Sequence, residues 1–575
     1  MKPVMARLGI AIALASCLAS SALTARPPSS LDYSVLIRGG TIYDGSGAAP
    51  YVGDVALKSD KIVYVGPHAP GHAARVVDAS GKAVSPGFIN MLSWANESLI
   101  ADGRGLSDTV QGVTLEVMGE GNSMGPWTPE MKRLELKRQG DIKYPIRWTT
   151  LGQYLEWLTK KGITPNVASF VGATTVRVHE LGEKDVDPTP AQLNRMRRLV
   201  RQAMKDGAVG VGSSLIYAPA NFAETPELIA LAQEAARCGG MYISHIRDEG
   251  PKLFEAMDEL FEISRKSGAR AEIYHYKQSG RENWDKIDTA LAKVNEARAS
   301  GLPITADMYT YPASATGLDA AFPLWMQDGG IEAWVKRLKT PALREKALAE
   351  MRGPDAGESS KLLVEEPDKI LLINFKTARL KPLIGKTLGQ VAKMRGKSSE
   401  ETAAELVAED GTRVDVVYFS MRESNVRREV GLPWMSFGSD ENSEAPEGVF
   451  LKSSSHPRAY GNVARLLGHY VRDEHAATLP DAIRRLTSLP ATNLSLRQRG
   501  WLKPGYYADV VVFDPATIQD HATFEKPKQL ATGVEDVFVN GVQVLKGGKH
   551  TGAKPGRVVR GPGWTGWPGG GACRE

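Results

Sequence analysis

Apolar and polar positions follow one style at the two ends of the chain and another in the middle. Residues 33–37, 55–57 and 62–65 form short β-rich runs, the last two bracketing a turn at Ser59-Asp60-Lys61. Residues 509–514 and 537–539 repeat that style and lead into Asn540-Gly541. Asn-Gly between apolar runs is a hairpin signal. The middle reads as strand–helix units. An apolar run at 241–244 reaches His245 and precedes a helical pattern over about 252–267. A second run at 271–274 reaches His275 and precedes a helical pattern over about 284–299, and a third at 304–308 reaches Tyr309. Further strands are predicted at 84–90, 113–118, 167–171, 209–213 and 435–438. Each unit ends its strand on a polar residue. In a (β/α)8 barrel such strand ends converge on the face that carries the active site.

The pattern therefore predicts an α/β fold. A (β/α)8 barrel over 86–490 is flanked by a small β-sandwich built from 31–85 and 491–560. The stretch 318–410 is too long for one connection and is read as an inserted, partly helical segment that could serve as a lid. Residues 561–575, rich in Gly, Pro and Trp, are read as an irregular tail.

Composition adds little to the core and more to the address. Of 575 residues, 42% are hydrophobic and 24% charged, as in an ordinary globular protein, and the net charge is only +5. No basic run suits nucleic acid, so no such partner is expected. Residues 1–25 have the order of a secretory signal: Lys2 and Arg7, an apolar stretch over 8–15, then small residues, with cleavage after Ala22 plausible. The apolar stretch is too short to span a membrane, which takes about 20 residues. Leu14-Ala15-Ser16-Cys17 also resembles a lipobox, which would make Cys17 a lipid anchor; the plainer reading is an apolar-region residue. The expectation is export, to the periplasm or beyond. Beyond the signal only Cys238 and Cys573 remain, too few and too distant to predict a disulfide framework, and no CxxC zinc motif exists.

Any metal must then be held by imidazole and carboxylate. His245 and His275 end strands in consecutive units, so both would reach the mouth of a barrel; the alternative is two unrelated buried histidines. Six other histidines, at 68, 72, 469, 475, 521 and 550, lie in terminal β-segments or a helical stretch and are read as structural or solvated. Asp440, after a short apolar run, could take a proton from an activated water, or could be a turn residue. Arg247-Asp248-Glu249 could support the site or cap the helix that follows.

Several segments resemble the amidohydrolase superfamily: residues 35–45, Pro86-Gly87-Phe88-Ile89-Asn90, and 503–513. Others resemble its N-acyl-D-amino-acid deacylases more closely. These are Ser244-His245-Ile246-Arg247-Asp248-Glu249-Gly250, His275-Tyr276-Lys277, Asp307-Met308-Tyr309-Thr310-Tyr311, His456-Pro457-Arg458 and Leu467-Gly468-His469-Tyr470. The resemblance spans 33–560 and is weakest in the insertion. It implies the barrel-plus-sandwich fold, zinc, and hydrolysis of the acyl amide of a D-amino acid. By position, His245 and His275 match zinc ligands, and Asp440 matches the aspartate that moves the proton from water to leaving amine. Lys277, Tyr309 and Arg458 match residues around the substrate, and Arg458 suits its carboxylate.

Two departures matter. Where the family carries His-x-His, this chain has Leu92-Ser93-Trp94. Where it carries a cysteine ligand, the chain reads Gly119-Glu120-Gly121-Asn122, with Gly121 aligned and Glu120 one residue earlier. Glu120, His245 and His275 are accordingly expected to hold one zinc ion, and the alternative for Glu120 is a loop carboxylate paired with Arg247 or with a substrate amine. Two other readings stand beside the deacylase: an amidohydrolase acting on D-amino-acid-containing dipeptides or cyclic amides, and an exported binding protein on an inactive scaffold.

Overall fold

The computed structural model describes residues 32–573. The signal-peptide reading and Cys17 lie outside the described residues. No helix among the described residues is long and apolar enough to cross a membrane.

Eight short parallel strands form the centre. They are β1 (Phe88–Asn90), β2 (Val113–Met118), β3 (Asn166–Ser169), β4 (Gly210–Ser214), β5 (Met241–His245), β6 (Ala271–Ile273), β7 (Ile304–Met308) and β8 (Met435–Phe437). β1, β2 and β3 pair in order, and β4 through β8 pair in order. Hydrogen bonds bridge both remaining seams. Val209 N donates to Ser169 O at 3.0 Å between β3 and β4, and Met91 N donates to Phe437 O at 3.0 Å between β8 and β1. The eight strands thus follow one another around a ring. Every residue of β2, β4, β5 and β7 is buried, as expected for parallel strands covered by helices on one side and packed interior on the other.

The helices that cover the ring carry their own start and stop signals. Pro190–Lys205 begins with a reciprocal capping box between Thr189 and Gln192 and has Pro at its first turn. Leu253–Ser267 stops at Gly268, whose φ of 74° is the left-handed conformation that glycine adopts at least cost. Its buried stripe, Leu253, Ala256, Met257, Leu260, Phe261 and Ser264, recurs at three- and four-residue spacing and faces the ring.

The two chain ends share one hydrogen-bonded sheet of nine strands. Val510–Phe513 runs antiparallel to Ala83–Pro86, so the C-terminal strands add directly to the N-terminal ones. Here the sequence reading needs correction. The run 84–90 is not one strand but two, broken at Gly87: Ala83–Pro86 belongs to the terminal sheet and Phe88–Asn90 is β1. A side chain at Gly87 would lie 2.1 Å from Thr114 Oγ1, so only glycine lets the chain cross from one sheet to the other here.

Between β7 and β8 the chain builds a separate layer. Ser314–Gly317, Asp415–Tyr418 and Ile370–Asn374 form an antiparallel sheet in that order. Five α-helices within 330–410 pack on it around their own buried cluster, including Leu318, Trp334, Leu348, Leu363, Leu406 and Val416.

The tail is irregular in conformation but not loose. Val559 N bonds Val167 O at 2.8 Å and Gly561 N bonds Gly207 O at 2.8 Å, so it runs under the N-terminal ends of β3 and β4. A Cys238–Cys573 disulfide pins it there, a pairing the spacing of 335 residues did not predict.

Candidate metal centre

The site is built at the C-terminal ends of the ring strands. β2 leads through Gly119 to Glu120, β5 ends on His245, β6 leads to His275, β7 to Tyr309 and β8 to Asp440. Glu120, His245 and His275 are all buried, and one ligand atom from each lies within 4.8 Å of the others. Glu120 Oε1 is 3.2 Å from His245 Nδ1 and 3.2 Å from His275 Nε2. A tetrahedral ion with donors at about 2.0–2.1 Å separates those donors by roughly 3.3 Å, so this spacing suits zinc.

The local backbone explains why position 120, not 121, carries the carboxylate. Gly121 has φ 65°, and a Cβ there would sit 2.6 Å from Ser214 Oγ. Glu120 turns inward instead. Arg247 does not reach it: its guanidinium bonds Glu259 and the backbone carbonyls of Asn221 and Ala223. His275 and Asp440 themselves have φ of 35° and 51°, an uncommon conformation for side-chain-bearing residues. Each is held in it, His275 N by Asp307 Oδ1 at 2.7 Å and Asp440 N by Leu92 O at 2.9 Å.

The electrostatics favour a cation. Burial pushes Glu120 up, but its bonds to His245 and His275 outweigh that and hold it well below the usual carboxylate range. Burial and Lys277 push His275 down, yet Glu249 and Glu120 overcome both and lift it to about 10. Two buried carboxylates, Glu120 and Glu249, thus face the His275 imidazole, a negative surround that suits a cation.

Glu249 is the residue that sequence reasoning undervalued. Its Oε1 accepts from Lys277 Nζ at 2.7 Å and lies 3.1 Å from His275 Nδ1. Asp248, by contrast, takes the turn, accepting from Gly250 N and Lys252 N. The His-x-x-x-Glu spacing across 245–249 was the only available signal. Lys277, read as a substrate residue, bonds Glu249 and sits 2.7 Å from His275 Nδ1, so its first partners are the groups that orient the imidazole.

Asp440 and Arg458 form a pair. Arg458 Nη2 is 2.8 Å from Asp440 Oδ2 and also donates to Asp440 O at 2.7 Å. Burial raises the Asp440 pKa and Arg458 opposes it. Arg458 Nε and Nη1 are buried without a hydrogen-bond partner. The guanidinium lies 4.3 Å from the centre of the Tyr309 ring, whose hydroxyl faces only Met421 Sδ, at 3.4 Å. Trp94 was read only as a lost ligand. Its indole N–H points between Glu120 Oε2 and Asp440 Oδ1. All seven sequence-predicted residues, at 120, 245, 275, 277, 309, 440 and 458, line one cavity of about 890 Å³.

Known proteins resemble this chain in sequence and fold. The model of the Amidohydrolase family matches residues 435–545. The D-aminoacylase of Alcaligenes xylosoxydans xylosoxydans is 31% identical over 530 residues, covering 92% of this chain and 97% of that protein. The solved structure of N-acyl-D-glutamate deacylase from Bordetella bronchiseptica, complexed with zinc and a phosphonate mimic of the tetrahedral intermediate, is 28% identical. It has a TM-score of 0.75 and covers 92% of this chain and 99% of its own. A solved D-aminoacylase with a binuclear metal centre, described by one-metal activation and second-metal attenuation, is 30% identical with a TM-score of 0.76, covering 92% and 100%. Fold and site together define an amidohydrolase, a metal-dependent hydrolase of amide bonds. Within that class, the chain belongs to the D-aminoacylase family of N-acyl-D-amino-acid deacylases.

Proposed function

We propose that this protein removes the acyl group from N-acyl-D-amino acids with one zinc ion held by Glu120, His245 and His275. The observation that carries the reading is the convergence of Glu120 Oε1 with His245 Nδ1 and His275 Nε2 at 3.2 Å each, beside Asp440. When bound, the ion supplies Lewis-acid activation of water and of the amide carbonyl. Asp440 takes the proton of the attacking water and delivers it to the leaving nitrogen. Arg458, which lines the cavity beside Asp440, supplies its guanidinium charge to the substrate carboxylate. The Tyr309 hydroxyl, with only a weak thioether acceptor as partner, donates to the developing oxyanion. Lys277 holds Glu249 against His275 and adds positive charge at the cavity wall.

The ring of eight strands is read as the (β/α)8 barrel over 86–490, and the nine-stranded sheet as the sandwich formed by 31–85 and 491–560. The insertion forms the roof of the cavity. Export to the periplasm or beyond is supported by the Cys238–Cys573 disulfide, since oxidising compartments are where such bonds persist.

The test is metal content with turnover. Protein purified without chelator or affinity-tag metal is expected to hold about one zinc per chain, to lose it in Glu120→Ala, and to release amine from N-acetyl-D- but not N-acetyl-L-amino acids. Turnover confined to dipeptides or cyclic amides would reassign the substrate. Metal-free protein that stays inactive in added zinc would leave the binding-protein reading in its place.

A further inference from the structure

The seven predicted residues account for only one part of the cavity. A volume of about 890 Å³ lies toward the upper end of the roughly 300–1,000 Å³ of ligand sites. Its lining divides by strand order. The polar groups that would hold a carboxylate and a leaving amine, at Tyr309, Asp440 and Arg458, follow β7 and β8. On the other side of Glu120 six apolar side chains line the wall among charged ones that pair with one another or with the insertion, Arg138 with Glu183 and Asp141 with Lys381. Met131, Leu134 and Ile142 come from the connection after β2, Val178 from the helix after β3, and Ile216 from the loop after β4. Ile331, from the insertion, joins them. All six are half-buried, their remaining surface open to the cavity.

The insertion is tied over this apolar side. Gly329 N bonds Glu183 O at 2.7 Å, Lys376 Nζ bonds Lys137 O at 2.8 Å, and Lys381 pairs with Asp141 at 2.7 Å. The apolar residues therefore lie under the insertion in the same cavity as the metal centre. An acetyl group would leave most of that side filled only by water.

Resting on the deacylase reading, we infer that this side of the cavity is a channel for the acyl half of the substrate, and that the preferred substrates carry a long aliphatic acyl chain. With the amino-acid carboxylate at Arg458 and the scissile carbonyl at Glu120, His245 and His275, the acyl carbon points away from β8. That direction leads to Ile216, Val178 and the helix Pro129–Arg138.

The experiment is kcat/KM on N-acyl derivatives of one D-amino acid, from acetyl to decanoyl, with the zinc-loaded protein. Burial of each methylene is expected to raise kcat/KM roughly two- to fourfold up to about eight carbons. The rise should reside mainly in KM. Leu134→Asp and Ile331→Asp are expected to lower kcat/KM for the octanoyl substrate at least about tenfold more than for the acetyl one. A flat or falling profile with measurable acetyl turnover overturns the channel and spares the deacylase. No turnover at any chain length overturns both. A variant with an unchanged melting temperature and an unchanged octanoyl-to-acetyl ratio overturns the assignment of its residue to the channel.

Discussion

The indole N–H of Trp94 lies 3.0 Å from Asp440 Oδ1 and 3.1 Å from Glu120 Oε2, one donor shared by the proposed proton carrier and a proposed metal ligand. An indole nitrogen has no lone pair to offer a metal, only a proton to offer an acceptor. At this position the chain replaces an imidazole that could hold a second ion with a donor that ties two carboxylates together. Trp94→Phe removes the donor and keeps much of the shape. A hydrogen bond to a charged group contributes about 1.5–3 kcal/mol, so kcat is expected to fall roughly 10- to 100-fold. Losing the donor raises the Asp440 pKa, so the acidic limb of the pH–rate profile should move to higher pH. Zinc content should stay near one per chain. An unchanged pH profile would show that the indole only fills space.

Asp440 and Arg458 should separate chemistry from binding. Asp440→Asn keeps the size and loses the proton carrier, and kcat is expected to drop by about 10²–10⁴ with zinc retained. Arg458→Lys keeps the charge but loses the planar guanidinium fork. It should raise KM for N-acyl-D-amino acids more than for their C-terminal amides, which lack the carboxylate. Equal losses on acid and amide would place the carboxylate elsewhere.

Glu249 is expected to tune the metal without touching it. Carboxylates that orient a ligating imidazole typically change metal affinity 10- to 100-fold when replaced. Glu249→Gln should weaken zinc binding by that factor in competition with a chromogenic chelator, and saturating zinc should restore much of the activity. Wild-type affinity in this variant would mean that Lys277 and Asp307 position His275 unaided.

These residues also show where the sequence was legible. His245 and Asp440 could be placed because each stands at or just past the C-terminal end of a buried strand, where a ring of parallel strands presents side chains. Glu120 was found as the nearest carboxylate to a missing cysteine; the reason for its offset, the left-handed Gly121 against Ser214, exists only in three dimensions. Trp94 and Glu249 were underread because their roles depend on partners 346 and 28 residues away. The break at Gly87 was hidden because apolar runs on both sides of a sheet-to-sheet crossing look like one strand. The insertion's three strands were missed because they pair across long separations, Ser314 with Tyr418 for example, with no turn signal between them.

Glu429 provides a test of the interior away from the metal. Its carboxylate is buried on the helix Glu423–Val430, accepts from Gln278 Nε2 at 3.2 Å, and leaves Oε2 without a partner. Burial pushes its pKa up from 4.5 to about 8, against the opposing pull of Gln278 and Lys277. Between those values the folded protein binds a proton that the unfolded chain releases. Stability therefore falls as pH rises through that window, by up to about 1.4 kcal/mol per pH unit from this group. Glu429→Gln keeps the shape and removes the titration. The variant should match the wild type in melting temperature near pH 5, exceed it at pH 8, and show a shallower decline between. Melting curves of the two proteins that stay parallel from pH 5 to 8.5 would mean that Glu429 is solvated well enough to ionise normally.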